Sequence, residues 1–154
     1  MTTQREIRNV ADNSARNVTL NASQTLTIQN HSGRTLLMGA AGAALTFTLP
    51  PATGSGAVFK FVVSVVNTSN YLIVAPSGDL YKGTIIGDST GDAEPGSLVA
   101  WPADASNDVT ITLNGTTTGG VAIGDWIEIQ DILTDVYAVK GFVTQSGTEA
   151  TMFS

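Results

Sequence analysis

Short runs in which an apolar residue alternates with threonine recur along the chain, and they restrict it to strands. Residues 25–28 (Thr-Leu-Thr-Ile), 45–49 (Leu-Thr-Phe-Thr-Leu) and 109–113 (Val-Thr-Ile-Thr-Leu) repeat with period two. That spacing puts the apolar side chains on one face of a pleated strand and the threonines on the other, as in a half-buried antiparallel strand. Residues 58–63 (Val-Phe-Lys-Phe-Val-Val) and 71–74 (Tyr-Leu-Ile-Val) are more continuously apolar, which predicts central strands covered on both faces. Residues 125–130 and 136–139 complete the set. No stretch carries the 3.6-residue period of an amphipathic helix.

Turn chemistry separates these runs. Pro50-Pro51 with Gly54 and Gly56, Pro76 with Gly78-Asp79, Asn114-Gly115 and Gly119-Gly120 all interrupt strand patterning. The segment Leu133-Thr134-Asp135 predicts a tight hairpin between the last two long strands. Gly39 to Ala44 reads as a tight loop, because its glycines weaken the helical preference of its alanines. The stretch from Asp88 to Pro95 reads as the most loop-like interior segment. No internal repeat marks a solenoid or a propeller. The expected fold is therefore all-β: a single antiparallel sandwich or barrel, jelly-roll-like, of about eight to ten short strands. Residues 1–16, polar and holding Arg5, Arg8 and Arg16, are expected to form an extended arm, and residues 17–154 one β-rich domain.

Composition narrows the function. Only 13% of residues are charged while 42% are hydrophobic; about 25% charged is usual, and disorder would need the opposite balance. The net charge of −6 offers no electrostatic footprint for a phosphate backbone, so nucleic acid is not an expected partner. There is no cysteine, which removes disulfides, thiolate metal sites and cysteine nucleophiles. The N-terminal residues lack the apolar segment of a signal peptide, and the longest apolar run, 57–66, is broken by Lys60 and Ser64. The expectation is a protein made in a cytoplasm, without a membrane partner.

Catalytic constellations are not legible. His31 is the one histidine, which leaves no ordinary general base for a nucleophile, and it reads as a satisfied surface residue in a turn. The Gly-Asp pairs at 78–79, 87–88, 91–92 and 124–125 read as turns, in which Asp bonds the local backbone and Gly supplies positive φ. Asp88, Asp92 and Glu94 do not have the spacing of a calcium loop. The glycine-rich stretch 115–124 lacks the lysine of a phosphate-binding loop. Trp101, Trp126, Tyr71, Tyr81 and Tyr137 read as core or interface residues before they read as a sugar platform. No catalytic residue, metal ligand or cofactor is expected, and the chain reads as a non-enzyme.

Several segments carry a resemblance. Leu45-Thr-Phe-Thr-Leu-Pro-Pro-Ala-Thr-Gly-Ser-Gly-Ala-Val-Phe-Lys-Phe-Val-Val looks like a pattern of bacteriophage virion proteins: a strand ending in Leu-Pro, a Gly-x-Gly turn and an aromatic returning strand. Asp79-Leu-Tyr-Lys-Gly-Thr-Ile-Ile, Ile111-Thr-Leu-Asn-Gly-Thr-Thr-Thr-Gly-Gly, Gly124-Asp-Trp-Ile-Glu-Ile and the closing Ala-Thr-Met-Phe-Ser follow in the same order. The chain resembles head decoration (cement) proteins over residues 35–154. That resemblance implies a homotrimeric, β-rich knob on the virion surface, bound to the major capsid protein and stabilising the assembled shell. The apolar residues near the chain ends, Ile7 and Val10 with Arg8, and Met152 with Phe153, are candidate contacts to the capsid or a neighbour. A trimeric tail-fibre or baseplate module that binds host-surface carbohydrate is the alternative, and a lectin unrelated to phage is a third reading.

Overall fold

The structure, a computed structural model, describes residues 16–89 and 97–154. The arm residues Ile7, Arg8 and Val10, and also Asp92 and Glu94, lie outside the described residues. Among those described, the chain is all-β. Its strands are β1 (Asn17–Leu20), β2 (Gln24–Thr25), β3 (Thr35–Met38), β4 (Leu45–Thr48), β5 (Val58–Val63), β6 (Tyr71–Val74), β7 (Leu80–Ser89), β8 (Ser97–Ala103), β9 (Thr110–Leu113), β10 (Trp126–Leu133) and β11 (Val136–Gln145). A single helical turn, α1 (Ile28–His31), interrupts them. Eleven strands exceed the expected eight to ten, and β7 and β11 reach ten residues each.

The strands form a seven-stranded sheet, ordered β1-β3-β5-β10-β11-β7-β8, and a four-stranded sheet, ordered β2-β4-β6-β9. An antiparallel arrangement was the expectation, and five strand pairs correct it: β1 with β3, β3 with β5, β2 with β4, β4 with β6, and β11 with β7 are parallel. From β1 to β6 the chain alternates between the two sheets, so successive strands of one sheet run in the same direction. It thereby winds through three turns of a coil. Antiparallel pairs join the later strands to this coil, β10 against β5 and β9 against β6. Period-two patterning shows that one face is buried but not which strand pairs with which, and this is why the direction was misread.

Inward residues of both sheets meet in one apolar core. The rings of Phe47 on β4 and Phe61 on β5 lie 6.1 Å apart across the sheets, and Phe47 is as far from Tyr71 on β6. Burying each such side chain contributes roughly 2–3 kcal/mol. Tyr71, Tyr81 and Tyr137 are fully buried, and each hydroxyl reaches a backbone carbonyl. That of Tyr71 lies 2.6 Å from the carbonyl of Ala40 and also accepts the Ala40 amide, which holds the Gly39–Ala44 segment as the expected loop. Tyr81 donates to Ile73, and Tyr137 to Pro50. Burial pushes all three phenols above their ordinary range.

Four local expectations change. Residues 25–28 do not continue as a strand: Thr27 is an extended N-cap whose side chain accepts the Asn30 amide, and α1 follows. His31 is therefore in a helical turn, and it is buried, with Nδ1 accepting the Thr27 amide at 3.0 Å. Strand β5 is covered on one face only, since Lys60 is exposed between buried Phe59 and Phe61. Asp88 belongs to β7, and the chain resumes beyond the expected loop as a further strand, β8, at the end of the larger sheet. Pro102 within β8 hid that strand, because proline is tolerated only at an edge. The hairpin around Thr134 is as expected: Leu133 pairs with Val136 and Asp135 takes φ +61°.

Candidate functional site: the outer face of the larger sheet

Met152 and Phe153, named as candidate contacts, are buried within the chain's own core. Phe153 bridges Ile111 and lies 6.5 Å from Tyr81, while the Thr112 amide donates to the Met152 carbonyl.

The acidic residues of two Gly-Asp pairs serve as buried staples. Gly78 and Gly124 take the expected positive φ. Asp79 accepts the Ala52 amide at 2.7 Å, and Asp125 accepts the amides of Gly120, Ala122 and Thr144 together with the Thr144 hydroxyl. Burial raises the Asp125 pKa in spite of those donors. Gly87-Asp88 is not a turn. Gly87 lies within β7, where an added Cβ would stand 1.9 Å from Gln145 Oε1. That space lets Trp101 Nε1 donate to Gln145 Oε1 at 2.7 Å, while Gln145 Nε2 donates to Thr117 and Ala150. Trp101→Phe is expected to lower stability by about 1–2 kcal/mol, read from the urea midpoint; an unchanged midpoint would remove this bond as a brace. Among the described residues no three His, Asp or Glu side chains gather as a metal site, and no helix is long and apolar enough to cross a membrane.

The distinctive surface is the outer face of the seven-stranded sheet. Register places Leu37 beside Val62, Val62 beside Trp126, Trp126 beside Phe142, Phe142 beside Ile86, and Ile86 beside Ala100. Six adjacent strands thus contribute one apolar residue each to a row about 24 Å long, given the ~4.8 Å spacing of neighbouring strands. Phe142 is 37% exposed and Ala100 is exposed, while the rest of the row is half-buried.

The next row along the strands is ionic: Lys60, Glu128 and Lys140 lie side by side on β5, β10 and β11. Lys140 pairs with Glu128 at 2.9 Å, and Lys60 sits 5.5 Å above the Trp126 ring. Lys82, on the same face of β7, reaches the carbonyls of Asp104 and Ala105. All three lysines of a chain with net charge −6 therefore project from this one face. Glu128, Gln130, Ala138 and Lys140 line a shallow depression at its centre. Sequence reading missed the face because it treated 58–63 as covered on both sides. The available signal was Lys60, two residues from Val62 and hence on the same side.

No family model, no curated protein and no solved structure matches the chain.

Proposed function

We propose that the chain is a non-enzymatic virion component that decorates the outer surface of a bacteriophage head and stabilises the assembled lattice. The observation that carries this reading is the outer sheet face. An apolar row beside an ionic row that holds two of the three lysines of an acidic chain, with the third further along the same face, is suited to adhesion on an acidic protein surface, where apolar burial supplies affinity and charge supplies register. The order of virion-like segments along residues 35–154 supports the same reading. In this proposal residues 17–154 form one sandwich-like domain, residues 1–16 an arm that meets a neighbour through Ile7, Arg8 and Val10, and three copies act together. A ligand that binds only the mature shell stabilises it by its own binding free energy, and three linked contacts add avidity. The alternative, a tail module that binds carbohydrate, is less well served by this face, because Lys60 already lies over the Trp126 ring.

Copy number in purified particles, by quantitative mass spectrometry, tests the reading. Hundreds of copies per particle are expected; a handful would assign the protein to the tail, and none would end both virion readings. The double variant Lys60→Glu/Lys140→Glu is expected to lower retention on particles at least tenfold, with thermal stability changed by no more than a few degrees. Retention equal to wild type would move the adhesive surface elsewhere.

A further inference from the structure

Among the described residues strand β8 ends the larger sheet, and it is uncharged throughout, reading Ser-Leu-Val-Ala-Trp-Pro-Ala. Native edge strands of this length usually carry charges, prolines or bulges that prevent further pairing; β8 has no charge, and its one proline, Pro102, stands next to its last residue. Here the edge is held in place, because Trp101 is tied to Gln145 and Ser97 to Ala103 are in continuous register with β7.

The direction of its free groups follows from β7. The Leu80 amide donates to Asp135, on the β11 side, and the Tyr81 amide donates to Asp108, on the opposite side. Alternation then turns Gly83, Ile85, Gly87 and Ser89 toward β8, where their partners are Ala103, Trp101, Val99 and Ser97. The backbone groups of Leu98, Ala100 and Pro102 consequently face away from the sheet. This places the one residue without an amide hydrogen where the ladder does not need one. Leu98 is 63% exposed, and Ala100 and Pro102 are exposed.

We propose that β8 is a docking edge for β8 of a second copy, paired antiparallel about a two-fold axis at Ala100. In this register Ala100 exchanges both backbone hydrogen bonds with its counterpart, and each Leu98 amide donates to the other copy's Pro102 carbonyl. All free donors of residues 98–102 are used, and Leu98 packs beside Pro102 of the other copy. Centring the axis on Pro102 would leave no donor at the middle of the pair. Ala100 also ends the apolar row, so the two-fold axis joins two rows into one continuous stripe across both copies. This contact is distinct from the three-fold arrangement that the resemblance implies, and either can exist without the other.

The pairing is small compared with the roughly 1,200 Å² of a stable interface, so it is read by cross-linking. The chain has no cysteine, which makes single-cysteine variants of the full chain unambiguous. In a hydrogen-bonded antiparallel pair the Cα atoms are about 5.5 Å apart, within disulfide reach. Ala100→Cys is expected to form a disulfide dimer under mild oxidation at least tenfold faster than Ile123→Cys, which is exposed elsewhere. Leu98→Cys, about 14 Å from its counterpart in this register, is expected to lag likewise, whereas Leu98→Cys/Pro102→Cys cross-links. Ala100→Cys reacting no faster than Ile123→Cys overturns the proposal, and rapid Leu98→Cys dimers overturn the register. A circular-dichroism melt of each variant checks that it is folded.

Discussion

Gly83→Ala is expected to lower folding stability by at least about 3 kcal/mol, a size reserved for a specific structural fault. Gly83 takes φ +140° on β7, where an added Cβ would lie 2.0 Å from the Val139 carbonyl oxygen and 2.9 Å from its carbon. Both atoms are backbone of β11, the parallel partner that β7 follows over ten residues. A side chain at this site cannot be accommodated by a rotamer change; the two strands must separate. Gly78→Ala is the control, since it also has positive φ but no atom within 4 Å of the added carbon. It is expected to cost only the conformational term, about 1 kcal/mol. Urea unfolding of both variants gives the comparison. If Gly83→Ala loses no more than Gly78→Ala, the β7–β11 pair is not the close, rigid contact described.

Asp131→Ala is the second large effect, expected at about 3 kcal/mol. Asp131 is 1% exposed and accepts the amides of Thr53, Gly54 and Ser55 together with the hydroxyls of Thr53 and Ser55. It fastens the Pro50–Ala57 connection to β10, next to the Thr53–Thr134 bridge. Removing the carboxylate leaves five donors of exposed turn residues without it; hydrogen bonds to a charged group are worth about 1.5–3 kcal/mol each, and water returning to the turn replaces part of that sum. Burial opposes ionisation of Asp131, but the Ser55 hydroxyl and the three amides outweigh it and lower the pKa from 3.8 to about 2. The sign follows from linkage: the unfolded chain binds this proton first, so the contribution is complete above the ordinary carboxylate value and is lost as pH falls from about 4 through 2. Asp125 acts in the opposite sense. Its raised pKa makes the folded state bind the proton more tightly, so its contribution is complete below the ordinary carboxylate value and is lost as pH rises from there through the higher folded value. Asp131→Asn is therefore expected to flatten the acid limb of a stability–pH curve between pH 4 and 2. An acid limb parallel to wild type would remove Asp131 as its source.

The strand class, most turns and much of the core were legible from the residues, although Met152 and Phe153 were not. Alternation in 45–49 and 109–113 buries Phe47, Ile111 and Leu113 as expected, and Asp135 makes the predicted hairpin possible. These are local properties: a pleat has period two, and a turn needs a residue that tolerates its φ. Pairing is not local. The coil from β1 to β6 has turns of unequal length, with Asn17 opposite Thr35 but Thr35 opposite Lys60, so it leaves no fixed sequence period. The outer face has the same character. Leu37, Val62, Trp126, Phe142, Ile86 and Ala100 come from six separate segments, and only the register of six strands sets them in a row. Composition alone established that the chain is acidic and has few charges; the tertiary structure decided that its three lysines share one face. Side-chain alternation follows from the geometry of a single strand, whereas a surface belongs to the strands that lie beside one another.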